Sequence, residues 1–344
     1  MSYNPEELRN LIGNIPQDSD YRPKFIKKYE SMVLGKGGDD LTSLTLCAGL
    51  IPNENSVVLL QDSLGIIPRT GQQRSLETKI RDINRHAFFG IAGDPYFANE
   101  LSERMYGQDF DNEEEFKRFI KKSYNDLHLE KVMDEFLLYF FNDRDYFKGL
   151  FEANKLPPAL DAEYKARIND AAGERPDIMV ISNISKPVIY KVGVGTIKPE
   201  YNVMERLSTG SASAPFETFM GEQKYRLNRT GKLKLSTLEG IETLLRVADP
   251  TSRATSTIGP PFDIVYVERV PKADAGLYEV EQYDFNAVRL DKVKLEEVRR
   301  AIREEPDVSS KVLCSWLEMV KDSKVTKNDL KKVIRKKINF KDSD

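Results

Sequence analysis

Three side chains in the first quarter of this chain have the types and spacing to act on one another. Thr45, Asp62 and Lys79 follow one another at intervals of 17 residues. They lie in the short apolar runs Thr45-Leu-Cys-Ala-Gly-Leu-Ile51, Asn55-Ser-Val-Val-Leu-Leu-Gln-Asp62-Ser63 and Glu77-Thr-Lys79-Ile-Arg-Asp-Ile83. If those runs are neighbouring strands, a hydroxyl, a carboxylate and an amine meet at one end of a sheet. A threonine hydroxyl is a weak nucleophile near neutral pH and needs a base for its proton, while a nearby cation steadies the charge that develops. The same spacing also suits a plainer arrangement, a structural Asp62–Lys79 ion pair beside an exposed strand threonine.

The elements that would carry these residues can be read from the hydrophobic pattern. From Ser43 the alternation is strict: Leu44, Leu46, Ala48 and Leu50 face one way, and Ser43, Thr45, Cys47 and Gly49 the other. This predicts a strand with one buried face. Pro52-Asn53-Glu54-Asn55 is a turn, so Val57–Gln61 pairs back on the first strand as a hairpin. Lys79–Ile83 and His86–Ala92 read as two more strands. Asp94-Pro95 opens a helix to about Arg104, with Phe97 and Leu101 inward, and a longer helix spans Glu113–Phe141. Residues 143–175 read as an irregular or partly helical insertion. Asp177–Ser182 and Pro187–Val192 form a further hairpin. Ala212–Phe219 and Leu235–Ala248 are helices, the second with Ser236 and Glu239 at capping-box spacing. Phe262–Val270 is a strand, and Lys292–Glu304, Ser309–Val320 and Thr326–Ile338 make a helical tail. Blocks of strands alternate with blocks of helices, which predicts an α+β fold of antiparallel sheets with helices outside.

Composition excludes several classes. The chain has 344 residues, 40% apolar, with a formal net charge of −3, so no strong field for nucleic acid follows. Cys47 and Cys314 are the only cysteines and His86 and His128 the only histidines. That number and spacing make neither a disulfide framework nor a metal site, and no cofactor is expected. No Gly-rich nucleotide fingerprint is present. The first residues lack a signal-peptide pattern and no apolar run approaches membrane-spanning length, which predicts a soluble, cytoplasmic protein without membrane partners.

The ordered pieces resemble the proteasome subunit family of N-terminal nucleophile hydrolases. The resemblance covers about Thr45 to Val267. It rests on Thr45 with Gly49, Asp62-Ser63, Lys79-Ile80 and Ala92-Gly93-Asp94 opening a helix. It continues through Asp177-Ile-Met-Val-Ile-Ser182, Lys186-Pro-Val-Ile-Tyr-Lys191, Thr209-Gly210-Ser211 and Gly259-Pro-Pro-Phe-Asp-Ile-Val-Tyr-Val267. It implies a four-layer αββα sandwich over residues 42–270, preceded by an N-terminal extension or propeptide (1–41) and followed by a helical C-terminal extension (271–344) with a basic tail. It also implies subunits that assemble with copies of themselves or with other proteasome-like subunits, a peptide or protein substrate, and a role in protein turnover.

In catalytic members a threonine becomes N-terminal by autolysis and its free amine takes the hydroxyl proton. Carried over, the resemblance assigns Thr45 as nucleophile, Asp62 and Lys79 as its supports and Ser211 as a proton-relay partner. Gly90, or the N–H groups around it, is an oxyanion-hole element by position. Three features depart from the catalytic pattern. Leu44 stands where self-cleaving members have glycine, and a side chain there resists the strained turn that cleavage requires. Leu64 replaces the basic residue that usually follows the Asp-Ser pair. Thr255 and Ile258 replace the acid and hydroxyl expected before Gly259, with Asp249 ten residues upstream. The reading is therefore a subunit that is non-catalytic as encoded, with a threonine-type peptidase or transpeptidase as the alternative once the chain is cut before Thr45. A cut at Thr42 would lose the spacing to Gly49. The basic run 324–341 reads as a solvated tail helix, with a nucleic-acid or anionic-surface contact as the less favoured use.

Overall fold

A computed structural model describes residues 45–67, 72–75, 79–93, 95–140, 144–172, 175–199, 206–210, 212–222, 233–255, 258–271, 283–304 and 308–321. In chain order the first strands are β1 (Cys47–Asn53), β2 (Ser56–Asp62), β3 (Leu64–Ile67), β4 (Gln72–Ser75), β5 (Arg81–Asn84) and β6 (Ala87–Ala92). Four helices follow: α1 (Pro95–Met105), α2 (Glu113–Phe140), α3 (Arg144–Glu152) and α4 (Pro158–Ala172). Next come β7 (Asp177–Ser182), β8 (Val188–Gly193), β9 (Thr196–Pro199), β10 (Arg206–Thr209), α5 (Ser213–Glu222) and α6 (Thr237–Ala254). The described chain ends with β11 (Phe262–Pro271), β12 (Tyr283–Arg289), α7 (Lys292–Glu304) and α8 (Ser310–Lys321). The fold is mixed α+β.

Two five-stranded sheets, each antiparallel throughout, carry the larger of two compact units. Their strand orders are β10-β1-β2-β11-β12 and β5-β6-β7-β8-β9. β3 and β4 make a small two-stranded sheet of their own. β1 is buried on both faces, because its alternating residues serve two cores. Ala48 and Leu50 join a cluster with Leu245 of α6, Leu295 of α7 and Leu317 of α8. Cys47 and Ile51 join a second cluster with Phe88, Met179 and Ile189 of the other sheet. A third cluster packs the remaining face of that other sheet, through Phe89 and Val180, against Phe97 and Leu101 of α1 and Phe116 and Ile120 of α2. The expectation of one buried face for the first strand is thus corrected. The side that looks weakly polar in sequence is the side between the sheets, where small residues allow close approach.

The helices follow their local signals. α6 starts with Ser236 accepting from the Glu239 N–H while the Glu239 side chain accepts from the Ser236 N–H, the expected capping box. It runs past Ala248 and through Pro250 to Ala254. Around the proline, buried Asp249 accepts from Arg299 of α7, and within the helix the Thr251 hydroxyl donates to the Val247 carbonyl at 2.7 Å. Five strands lie where the sequence pattern is too short or too polar to read, namely β3, β4, β9, β10 and β12. The first sheet includes residues beyond 270. β12 pairs with β11 over seven residues, Val265–Pro271 opposite Tyr283–Arg289, and α7 and α8 pack in the same core.

The smaller unit includes described residues 128–140 and 144–172. The stretch expected to be irregular or partly helical is the helix pair α3 and α4. Phe136, Phe147 and Tyr164 form its aromatic centre, with ring centroids 5.1–5.5 Å apart, a spacing at which tilted and edge-to-face rings attract. The Tyr164 hydroxyl reaches the Leu129 carbonyl at 3.5 Å.

Asp94, Ser211 and the expected helix Thr326–Ile338 lie outside the described residues, as does the basic run 324–341. Among the described residues no helix is long and apolar enough to cross a membrane.

Candidate functional site

Antiparallel pairing brings the ends of β1 and β2 together and sets the site. Asp62 is the last residue of β2, and the ladder with β1 is extended past Cys47 by two bonds. The Asp62 N–H donates to the Leu46 carbonyl at 3.1 Å, and the Leu46 N–H donates back to Asp62 Oδ1 at 2.9 Å. That second bond fixes the carboxylate beside Thr45, the residue before Leu46. Lys79 arrives from the other sheet, two residues ahead of β5. Its Nζ donates to Thr45 Oγ1 at 2.9 Å and lies 3.3 Å from both oxygens of Asp62. Lys79 therefore contacts both Thr45 and Asp62.

The surroundings are dry. Thr45 and Asp62 are fully buried, and the Lys79 side chain is 10% exposed. The expectation of an exposed strand threonine is corrected: Thr45 sits inside the protein, just ahead of β1. Burial pushes the Lys79 ammonium below its ordinary value, the Asp62 charge and hydrogen bond pull it back up, and the Lys292 charge adds to the lowering. Lys79 is thus an amine in reach of a hydroxyl with a weakened hold on its proton. Cys47, two residues along from Thr45, is pushed the opposite way, chiefly by burial and then by Asp62, and stays a neutral thiol.

Glycines shape both walls. A Cβ on Gly90 of β6 would stand 2.5 Å from Cys47 Sγ and 2.8 Å from Gln61 Oε1, so the absent side chain is what lets the sheets meet there. Gly90 thus lies between the sheets, beside Cys47 and Gln61. Gly210 has φ +95° at the end of β10 and lies against the Thr45 carbonyl, which also accepts from the Ala212 N–H at 3.4 Å. Ser211, between those two residues, is outside the described residues.

Several polar residues around the site have no counterpart in the sequence reading. Gln61 spans the sheets: its amide donates to the Ile91 carbonyl, and its Oε1 accepts from the Ile91 N–H at 3.3 Å. Asp263 of β11, Arg289 of β12 and Lys292 of α7 form a charged group next to Ser63. Asp263 interrupts an apolar strand and is fully buried, which is the one signal a sequence could offer. The pairing of Arg289 and Lys292 with it depends on β12, which the sequence does not announce. Among the described residues no cluster of three or more His, Cys, Asp or Glu side chains is placed to hold a metal ion.

No protein-family model matches the chain, and no curated protein matches it.

Proposed function

We propose that this chain is a proteasome-like subunit of the N-terminal nucleophile hydrolase fold, non-catalytic for as long as Thr45 remains joined to Leu44. The reading takes the two sheets as the inner layers of a four-layer αββα sandwich. Its support is the apolar cluster shared by both sheets and the helices packed on their outward faces. The observation that carries the site is Lys79 Nζ, held 2.9 Å from Thr45 Oγ1 and 3.3 Å from Asp62. In the uncut chain the Thr45 nitrogen is an amide. An amide nitrogen is no base near neutral pH, so the hydroxyl lacks the acceptor that the family's mechanism uses. The burial of Thr45 is a second obstacle to substrate. In this reading the protein works by assembly, with copies of itself or with other proteasome-like subunits, in a complex linked to protein turnover.

The second reading is a threonine-type peptidase or transpeptidase after cleavage before Thr45, and the assembled Thr45–Lys79–Asp62 contact favours it. A freed amine would take the hydroxyl proton as Oγ1 attacks a peptide carbonyl. The tetrahedral centre would collapse to an acyl ester, and the proton would leave with the departing amine. Water or a second amine would then release the acyl group.

Intact-mass spectrometry of the purified chain separates the readings, with labelling by a hydroxyl-reactive β-lactone and a Thr45→Ala control. The expected result is one species carrying residue 44, with no label on Thr45. A species beginning at Thr45, labelled in the parent and unlabelled in Thr45→Ala, overturns the non-catalytic reading.

A further inference from the structure

Lys292 opens α7 directly after Asp291, whose Oδ1 accepts from the N–H groups of Val293 (2.9 Å) and Lys294 (3.0 Å). A cation in the first turn opposes the positive end of the helix dipole, so the helix itself gives no reason for this lysine. Its reason lies across the core. Lys292 Nζ donates to Ser63 Oγ at 3.2 Å and lies 3.6 Å from Asp263 Oδ2. Ser63 is the residue after Asp62.

Three residues earlier, Arg289 makes the matching contact on the other side. Its guanidinium donates to Asp263 Oδ2 at 2.8 Å, to Asp82 Oδ1 at 2.7 Å and to the Ile80 carbonyl at 3.2 Å. Ile80 is the residue after Lys79. Each partner of the Asp62–Lys79 pair is therefore gripped one residue further along the chain, by two cations that share a single carboxylate. That carboxylate is fully buried, and among the described residues its Oδ1 has no hydrogen-bond partner. A buried carboxylate in this state depends on its cations, so the three residues stand or fall together.

We propose that Asp263, Arg289 and Lys292 form a clamp that positions the Asp62–Lys79 pair through Ser63 and Ile80. The proposal rests on the reading of Thr45–Lys79 as the site, and it assigns a supporting role to a segment beyond the region that resembles the family. Among the groups acting on the Lys79 ammonium are Asp62 on β2, Cys47 on β1, the Thr45 hydroxyl and Lys292 on α7. Of these, only Lys292 brings a like charge. Removing it takes away a repulsion, so Lys79 holds its proton to higher pH.

The test is a pH titration of the full chain with lysine side chains labelled, following the Lys79 Nζ and Cε resonances, assigned by their loss in Lys79→Arg. The Lys79 midpoint is expected to rise in Lys292→Met and to stay at the parent value in Lys292→Arg. Lys292→Gln replaces the methionine variant if thermal unfolding shows that the latter is not folded. An unmoved midpoint in a folded, charge-removing variant overturns the proposal, as does a shift in Lys292→Arg equal to that in Lys292→Met. The outcome is independent of β-lactone labelling. A midpoint that moves in a protein whose Thr45 never labels leaves the clamp standing, whereas labelling with an unmoved midpoint removes the clamp alone.

Discussion

Gly210 stands so close to Thr45 that a Cβ added to it would lie 2.1 Å from the Thr45 carbonyl oxygen. The backbone there has φ +95°, in the region that side chains with a Cβ rarely enter. Conformation and contact thus impose the same restriction, and the end of β10 fixes the backbone of the candidate nucleophile.

Gly210→Ala is expected to lower stability by about 2 kcal/mol or more, combining backbone strain with a clash that cannot relax. Gly195→Ala is the control, because Gly195 also has positive φ (71°) but nothing within 4 Å of its added Cβ. Denaturant unfolding of both variants should show the larger loss at Gly210.

Asp62 and Lys79 should couple strongly in a double-mutant cycle. Lys79→Met leaves a buried carboxylate without its cation, and Asp62→Asn leaves a lysine with only 10% exposure without its anion. Each single change is expected to cost about 3 kcal/mol, and the double variant less than the sum of the two. Strict additivity in urea unfolding would show that the pair is not an energetic unit.

The lowered Lys79 value gives a signed pH dependence. Between the folded-state value and the ordinary 10.5, the unfolded chain holds a proton that the folded chain has released. Stability therefore rises with pH across that window and is penalised below it. The parent should gain stability relative to Lys79→Met as pH increases through the alkaline range, measured by denaturant midpoints at constant salt. A parent that loses ground in that window would reverse the sign.

Both thiols should resist alkylation. Cys314 is pushed up to about 12, first by burial and then by the Glu242 charge beside it, and Cys47 is fully buried and likewise raised. Thiolate is the reactive form, so iodoacetamide at pH 8 should leave the native protein unmodified and label both cysteines after unfolding.

Trp316 is the only tryptophan of the chain and is buried in the core beneath α6 and the first sheet. Its emission should change together with far-UV circular dichroism during unfolding if α8 belongs to that core's cooperative unit. Leu317→Ala, in the same cluster, is expected to cost about 2–5 kcal/mol. A fluorescence transition that precedes the loss of sheet signal would detach α8 from the unit.

Much of the framework was legible because its signals are local. The Ser236 and Glu239 pair marks the start of α6, the β7–β8 hairpin follows from two apolar runs around a turn, and Lys292–Glu304 has the observed bounds of α7. The convergence of Thr45, Asp62 and Lys79 was legible for a different reason, since their spacing matches successive strands. What stayed hidden depends on pairing over long separations. β12 reads as a polar segment, Tyr-Asp-Phe-Asn-Ala-Val-Arg, and becomes a strand because β11 offers it an edge. The burial of Thr45 was hidden as well, because alternation along β1 cannot tell a solvated face from one that meets a second sheet. Asp263 illustrates the limit: its partners Arg289 and Lys292 are 26 or more residues away and carry no pattern pointing to it.

The outer strands described above also bear on how copies of this chain can meet. β5, β9 and β10 have four residues each, and β9 finishes on Pro199, which has no N–H to offer. β12 is the one longer rim among the described five-stranded sheets, and its last residue, Arg289, is already committed to Asp263 and Asp82. Rims as short as β5, β9 and β10 are poor templates for adding another chain's backbone, whereas the seven residues of β12 leave the longer edge at which strand addition would have to be resisted.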